Sequence, residues 1–205
     1  MKVIAISGVS GCGKTSVIKH LSERLSCQSL LFDDYTDENT YPSDMKHWLK
    51  SGADVSVIKT PLFVDALKRL KATYNRPSVC NENPNIERCN SEIYSSDFIL
   101  IEEPFGRCRS SIAPLVDYVI LLDVPMEVCL SRVIMRNINH PKADSLDAIP
   151  KYLSMYDDHL RGVYIAATDQ VRAKCDLVIQ DVDSIEATGN VISLRLHSTE
   201  PLDEA

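Results

Sequence analysis

The sequence predicts an α/β fold with a doubly wound, mainly parallel five-stranded sheet flanked by helices, and three observations point to it. A β-branched run, "KVIAIS" (2–7), passes through a glycine-rich turn into an amphipathic helical pattern, "KTSVIKHLSERL". Three later runs, "DFILIE" (97–102), "DYVILLDV" (117–124) and "CDLVIQD" (175–181), are nearly continuous in apolar residues, as parallel strands covered on both faces should be. Helical patterns separate these runs, and alternating strands and helices build parallel crossover units.

Each element has its own local reason. "QSLLF" (28–32) reads as a short second strand that stops at "DDYTDENTYPSD". Polar residues at the C-terminal end of a strand lie where α/β sheets place their chemistry. From Ser43 to Thr73 the pattern is helical: "SDMKHWLKSG" closes on Gly52, and "TPLFVDALKRLKA" opens with a Thr cap and Pro61 at the first helical position. Residues 75–92 hold two prolines and five asparagines without an apolar period, which predicts a loop. Helices are expected over about 126–137 and 145–167. Beyond Ser184, "VISLRL" is expected to add a strand before an acidic tail, 198–205, that frays.

A chain of 205 residues with 44% hydrophobic content suits one domain. Its net charge of -7 argues against a protein that holds nucleic acid or an anionic membrane by bulk electrostatics. The seven cysteines (Cys12, Cys27, Cys80, Cys89, Cys108, Cys129 and Cys175) show neither a C-x-x-C pair nor zinc-like spacing, so a reducing cytoplasm is the expected setting. Cys80 and Cys89 bracket a polar loop, where a metal or redox role is the minor alternative. Neither a signal peptide nor a run near the ~18 apolar residues of a membrane span is read.

"GVSGCGKT" (8–15) fits G-x-x-x-x-G-K-[ST], the phosphate loop of the P-loop NTPase fold. Glycines let backbone N–H groups turn toward a phosphate, the helix that follows presents its positive end, the lysine adds a mobile cation and the threonine offers a hydroxyl to Mg²⁺. Three of the chain's seven glycines fall in these eight residues, which disfavours a chance turn. Gly8, Ser10, Gly11, Cys12, Gly13, Lys14, Thr15 and Ser16 are therefore the candidate nucleotide-binding residues.

The recipient of the phosphate is sought elsewhere in the chain. Neither N-K-x-D nor D-x-x-G occurs, which disfavours a GTPase switch, and 205 residues leave little room for the partner domains of a motor or transporter ATPase. A small-molecule kinase needs a group to receive the acceptor's proton, a magnesium site and cations for the transferred phosphoryl. Asp33 and Asp34 are carboxylates at a strand end beside the phosphate loop, one of them a candidate base. Glu102 and Glu103 end "DFILIE", where a carboxylate can hold Mg²⁺, and alternation alone does not say which one does. Arg132 and Arg136, four apart on one helical face, suit a lid over about 132–150 that clamps a triphosphate; a solvated face is the alternative. Arg107 and Arg109 can meet an anionic group on either substrate or serve as surface charges. Trp48 can stack on a base or sugar or pack in the core, the commoner use.

These residues resemble the uridine kinase and phosphoribulokinase group of small P-loop kinases, which includes the nicotinamide riboside kinases. "LLFDDY" resembles its D-x-F-Y or D-D-F-F turn, "ILIEEP" its V-I-V-E-G strand, "DYVILLDVPMEVCLSRVIMR" its strand and Arg-bearing lid, and "YIAATDQVRAKCDLVIQ" its closing strand. The resemblance implies ATP as donor, Asp33 as base, Thr15 and Glu102 at Mg²⁺, Lys14 on the transferred phosphoryl, and Arg132 and Arg136 in the lid. Asp34, Tyr35, Trp48, Glu103 and Arg107 are the candidate acceptor-side residues. Tyr35 and Thr36 stand where the group has an aromatic pair, Pro104 follows two acids where it has a glycine, and 41–60 does not reproduce its base-reading stretch. The expected activity is transfer of a γ-phosphoryl group to a hydroxyl, first of a nucleoside such as uridine or cytidine. Another sugar or vitamin hydroxyl, or a regulatory nucleotide-binding module, stays open. The expected partner is the small-molecule acceptor, with a homo-oligomer possible.

Overall fold

A computed structural model describes residues 1–74, 97–139, 145–180, 182 and 184–198. The expected 75–92 loop and the pair Cys80 and Cys89 lie outside these residues. The sheet has strands β1 (Lys2–Ser7), β2 (Gln28–Leu30), β3 (Phe98–Glu102), β4 (Tyr118–Leu122) and β5 (Leu177–Ile179) in the order β2-β3-β1-β4-β5, and every ladder is parallel. The oldest element in chain order, β1, is thus central, and its C-terminal end opens between β3 and β4.

The apolar runs are continuous because both faces are covered. Side chains alternate across a strand, so Ile4, Ile6, Leu100, Ile120 and Leu122 face one layer with Val17, Ile18 and Leu21 of α1 (Lys14–Leu25). Val3, Ala5, Ile99, Ile101, Val119 and Leu121 face the other, with Phe63, Val64 and Leu67. Those three belong to α3 (Pro61–Tyr74), which begins at the expected proline. Each such valine, leucine, isoleucine or phenylalanine side chain, once buried, contributes about 1.5–3 kcal/mol. A third apolar cluster sits above the sheet's C-terminal edge: Phe32, Trp48, Ala53, Val55, Ile58, Phe105, Val163 and Ala167. It joins α2 (Met45–Lys50) to α6 (Arg161–Arg172).

The remaining helices are α4 (Met126–Asn139), α5 (Ser145–Met155) and α7 (Ile185–His197), with a π-helical turn at Tyr156–Leu160 between α5 and α6. The single helix expected over 145–167 is therefore this α5–π–α6 path, and it runs on to Arg172. The expected lid range falls on α4, on residues 140–144 outside the described set, and on α5.

Two expectations are corrected. "QSLLF" stops at Leu30, because Phe32 turns into a 3₁₀ turn, Phe32–Tyr35, to bury its ring against Phe63 and Phe105. "VISLRL" is helix, not strand: Ser184 caps α7 by accepting from the Ala187 N–H at 3.0 Å, and the buried positions Thr188, Gly189, Ile192 and Ser193 follow helical spacing. Alternating apolar residues misled there because half of them, Val191 and Leu194 among them, face out. No described helix is long and apolar enough to cross a membrane.

Candidate active site

The phosphate loop follows β1 directly and wraps the first turn of α1. Two of its glycines are required by close approach. Gly8 has φ +135° and a side chain there would meet the Leu122 carbonyl oxygen at 2.7 Å; Gly11 has φ +89° and would meet the Cys129 carbonyl oxygen at 2.3 Å. The loop is thereby seated against β4 and against α4. Cys12 turns its thiol into the core rather than outward, and burial raises its pKa. Only its backbone is available to a phosphate.

Lys14 is 7% exposed, donates from Nζ to the Val9 carbonyl at 3.1 Å and lies 3.5 Å from Glu102 Oε1. Thr15 donates its hydroxyl to Glu102 Oε2 at 3.0 Å. The reason is register. Glu102 pairs with Ile6, two residues before Gly8, and shares with Leu100 the sheet face that α1 covers. Glu103 is the next residue and goes elsewhere.

These groups line a cleft of about 440 Å³, a size that suits a small ligand. Gly8, Ser10, Gly11, Gly13, Lys14, Thr15, Ser16 and Glu102 form one side, and Arg132 and Arg136 reach it from α4. Arg132 also donates to the Val182 carbonyl at 3.2 Å. Asp33, exposed at the 3₁₀ turn, lines the same cleft, so the expected base and phosphate loop are brought together.

None of the five expected acceptor-side residues lines it. Trp48 is 6% exposed, donates from Nε1 to the Asp54 carbonyl at 2.8 Å and packs in the third cluster, so it is core and not a stacking platform. Glu103 is fully buried in a two-contact pair with Arg109, at 3.1 and 2.5 Å. Burial raises its carboxyl pKa and Arg109 opposes this. Because a guanidinium keeps its proton, the carboxylate is the form that leaves no bare charge in the core. Arg107 points to the other end of the strands, onto the carbonyls of Val116 and Asp117 and the carboxylate of Asp176. Tyr35 packs edge-on against Phe63, and Asp34 faces solvent outside the cleft.

The rest of the cleft is walled by Tyr41, Met45, Ile58, Pro104, Phe105, Val163, Tyr164, Ala167 and Thr168. Desolvation at the cleft wall and the nearby carboxylates of Asp33 and Glu103 push the Tyr41 phenol up to about 12, with 42% of the residue still exposed; it is a donor at neutral pH, as any phenol is. Burial, and after it the hydrogen bond with Tyr152, raise Tyr164 as well. Sequence reading missed this wall because its members come from four separate segments without a motif; the aromatic residues Tyr41 and Phe105, each close to a predicted carboxylate, were the only signal.

A helix N-terminus cradled by glycines, with a lysine, a hydroxyl and a strand-end acid around it and the rest of one cleft alongside, is how P-loop kinases hold a nucleotide next to its acceptor. The comparisons agree with this class. The model of the Phosphoribulokinase / Uridine kinase family matches residues 3–186, and the chain belongs to that family. It is a phosphotransferase acting on a small-molecule alcohol. Over 161 residues it is 28% identical to a probable thymidylate kinase of Metallosphaera sedula, covering 76% of this chain and 74% of that one. Over 201 residues it is 23% identical to a uridine kinase of Macrococcus caseolyticus, covering 96% of each. In fold it is similar to a deoxyadenosine kinase from M. mycoides, with TM-score 0.50 and 15% identity over 95% of this chain and 98% of that one.

Proposed function

We propose that the protein transfers the γ-phosphoryl group of ATP to a hydroxyl of a nucleoside or nucleoside-like metabolite. The observation that carries this reading is that Asp33 and the Lys14–Thr15–Glu102 group line one cleft. A regulatory nucleotide binder needs no carboxylate across from its phosphate loop, whereas a transferase does.

Backbone N–H groups of residues 8–15 hold the phosphates, and the α1 N-terminus favours their charge. Lys14 follows the charge of the transferred group, and Arg132 and Arg136 meet it from α4. Asp33 receives the acceptor's hydroxyl proton. Thr15 and Glu102 suit Mg²⁺, because they present hard oxygen donors already 3.0 Å apart. No described group of three or more His, Cys, Asp or Glu side chains forms a metal cage, and Mg²⁺ commonly takes one or two protein oxygens with the remainder from water and phosphate. When bound it supplies charge neutralisation on the phosphates.

The test is ADP release with ATP, Mg²⁺ and a panel of nucleosides, sugars and vitamins. One acceptor should raise release above the no-acceptor control. Asp33→Asn should keep ATP affinity while kcat falls by about 10²–10⁴. Full turnover in Asp33→Asn removes Asp33 from the role of base.

A further inference from the structure

Asp33 and the phosphate loop line the same cleft but belong to different parts of the fold: the loop leaves β1, and Asp33 rides on the Phe32–Tyr35 turn. Asp33 is exposed, so the direction of its carboxylate is set by the turn that carries it, and the anchor of that turn is the buried Phe32 ring. Phe32 meets Phe63 and Phe105 edge-on, at 6.1 and 6.0 Å between ring centres. The Arg109 guanidinium lies 5.3 Å from the centre of the same ring, within reach of a cation–π contact.

A second set of contacts ties that guanidinium to β1. Ser7, the residue before Gly8, donates its hydroxyl to the Glu103 carbonyl at 2.7 Å, and the Glu103 N–H donates to the Ile6 carbonyl at 3.2 Å. The Glu103 backbone is thus fixed to the strand end from which the phosphate loop springs. Its carboxylate accepts from Arg109 Nε at 3.1 Å and Nη2 at 2.5 Å, and from the Phe105 N–H at 3.3 Å. Arg109 Nη1 reaches the other way, to the Ile58 carbonyl at 3.2 Å and the Thr60 hydroxyl at 2.9 Å. A continuous path therefore runs from Ser7 through Glu103, Arg109 and Phe32 to Asp33. Well-packed apolar residues often fill such a space with equal or greater stability. A planar fork with fixed donors supplies direction as well.

Resting on the reading of Asp33 as the acceptor's base, we propose that Arg109, held by Glu103, is a positioning residue for phosphoryl transfer: it sets the separation of Asp33 from the phosphate loop. Arg109 is 1% exposed and acts from behind the cleft wall, through the Phe32 ring. Ile58 and Phe105, which line the cleft, are held by the same guanidinium and carboxylate. A displacement of about 1 Å in a reacting group can cost about a hundredfold in rate. Loosening the pair should thus lower kcat, while the phosphate loop keeps its own contacts and its hold on ATP.

The experiment is steady-state kinetics with ATP, Mg²⁺ and the acceptor of the nucleoside, sugar and vitamin panel that gives the fastest ADP release. Two variants are compared with the wild type, each alone and combined with Asp33→Asn, and each with a thermal melt. Arg109→Lys keeps a cation beside Glu103, so no bare charge is left in the core; Glu103→Leu with Arg109→Met removes both charges together. In both, kcat is expected to fall about tenfold to a hundredfold with the KM for ATP within about twofold of wild type. In the Asp33→Asn background the same changes should lower the residual turnover by no more than about twofold, because the interaction they disturb is already lost. Wild-type kcat in both variants overturns the proposal and leaves Asp33 as base. An equal loss in both backgrounds also overturns it, since that marks a general structural effect. Full turnover in Asp33→Asn, or ADP release that no acceptor raises, overturns the underlying reading and this proposal with it.

Discussion

Lys14 and Glu102 are both buried polar side chains, and each is explained by the other: the ammonium is 3.5 Å from the carboxylate, which also accepts from Thr15. A buried ion needs such partners. Removing Lys14 should therefore act on both the transition state and the local structure. Lys14→Ala is expected to lose about 3–4 kcal/mol of transition-state stabilisation, a few hundredfold in kcat/KM. The kinetic assay should be paired with a thermal melt to separate the two effects. At this scale the phosphate half of the site was legible, because its residues are contiguous and each has one physical role. Glu102 and Glu103 were not separable. Their roles depend on which face of β3 α1 covers, and that is a tertiary fact.

At the scale of elements, the seat of the loop against α4 is a backbone contact. Gly11→Ala would place a methyl group 2.3 Å from the Cys129 carbonyl oxygen and force a side chain into a left-handed conformation. It should destabilise the fold by about 2–4 kcal/mol and weaken nucleotide protection, both readable in melts with and without ATP. Helix α2 shows the pH behaviour of a cap. Asp44 accepts from the His47 N–H at 2.9 Å, and this bond holds its carboxyl below the ordinary value of 3.8. The folded pKa is lower than the unfolded one, so the stabilisation is present above the unfolded value and lost as pH falls through the folded one. Asp44→Ala should lower the Tm at neutral pH, and the two proteins should converge as pH falls through the lowered folded-state pKa of Asp44. Helix α2 was legible through the glycine that closes it, Gly52, and α3 through the threonine and proline that open it. The helical nature of α7 was not, because "VISLRL" has a short period-2 pattern whose outward half carries apolar residues.

In the molecule as a whole, the Glu103–Arg109 pair joins the end of β3 to residues 58–60 and to the Phe32 and Phe105 rings, and so ties the third apolar cluster to the sheet. Glu103→Ala leaves a buried guanidinium unpaired and should cost about 3–5 kcal/mol. Changing both residues to well-packed apolar ones, Glu103→Leu with Arg109→Met, should recover a large part of that loss, as urea melts would show. Recovery identifies the single-variant cost as an uncompensated charge and not as lost packing.

Local pattern determined the parallel α/β fold, the phosphate loop and the carboxylates at two strand ends, because each is a property of a few neighbouring residues or of a repeating period. The sequence alone also pointed to phosphoryl transfer as the chemistry, and membership in the Phosphoribulokinase / Uridine kinase family agrees with it. Tertiary structure alone decided the remaining wall of the cleft. Tyr41, Ile58, Phe105 and Tyr164 are up to 123 positions apart and meet only above the sheet edge, while Trp48, Glu103 and Arg107, candidate ligands by sequence, find protein partners first. A side chain's role in a cleft depends on what its neighbours in space leave unsatisfied, and no linear spacing encodes that.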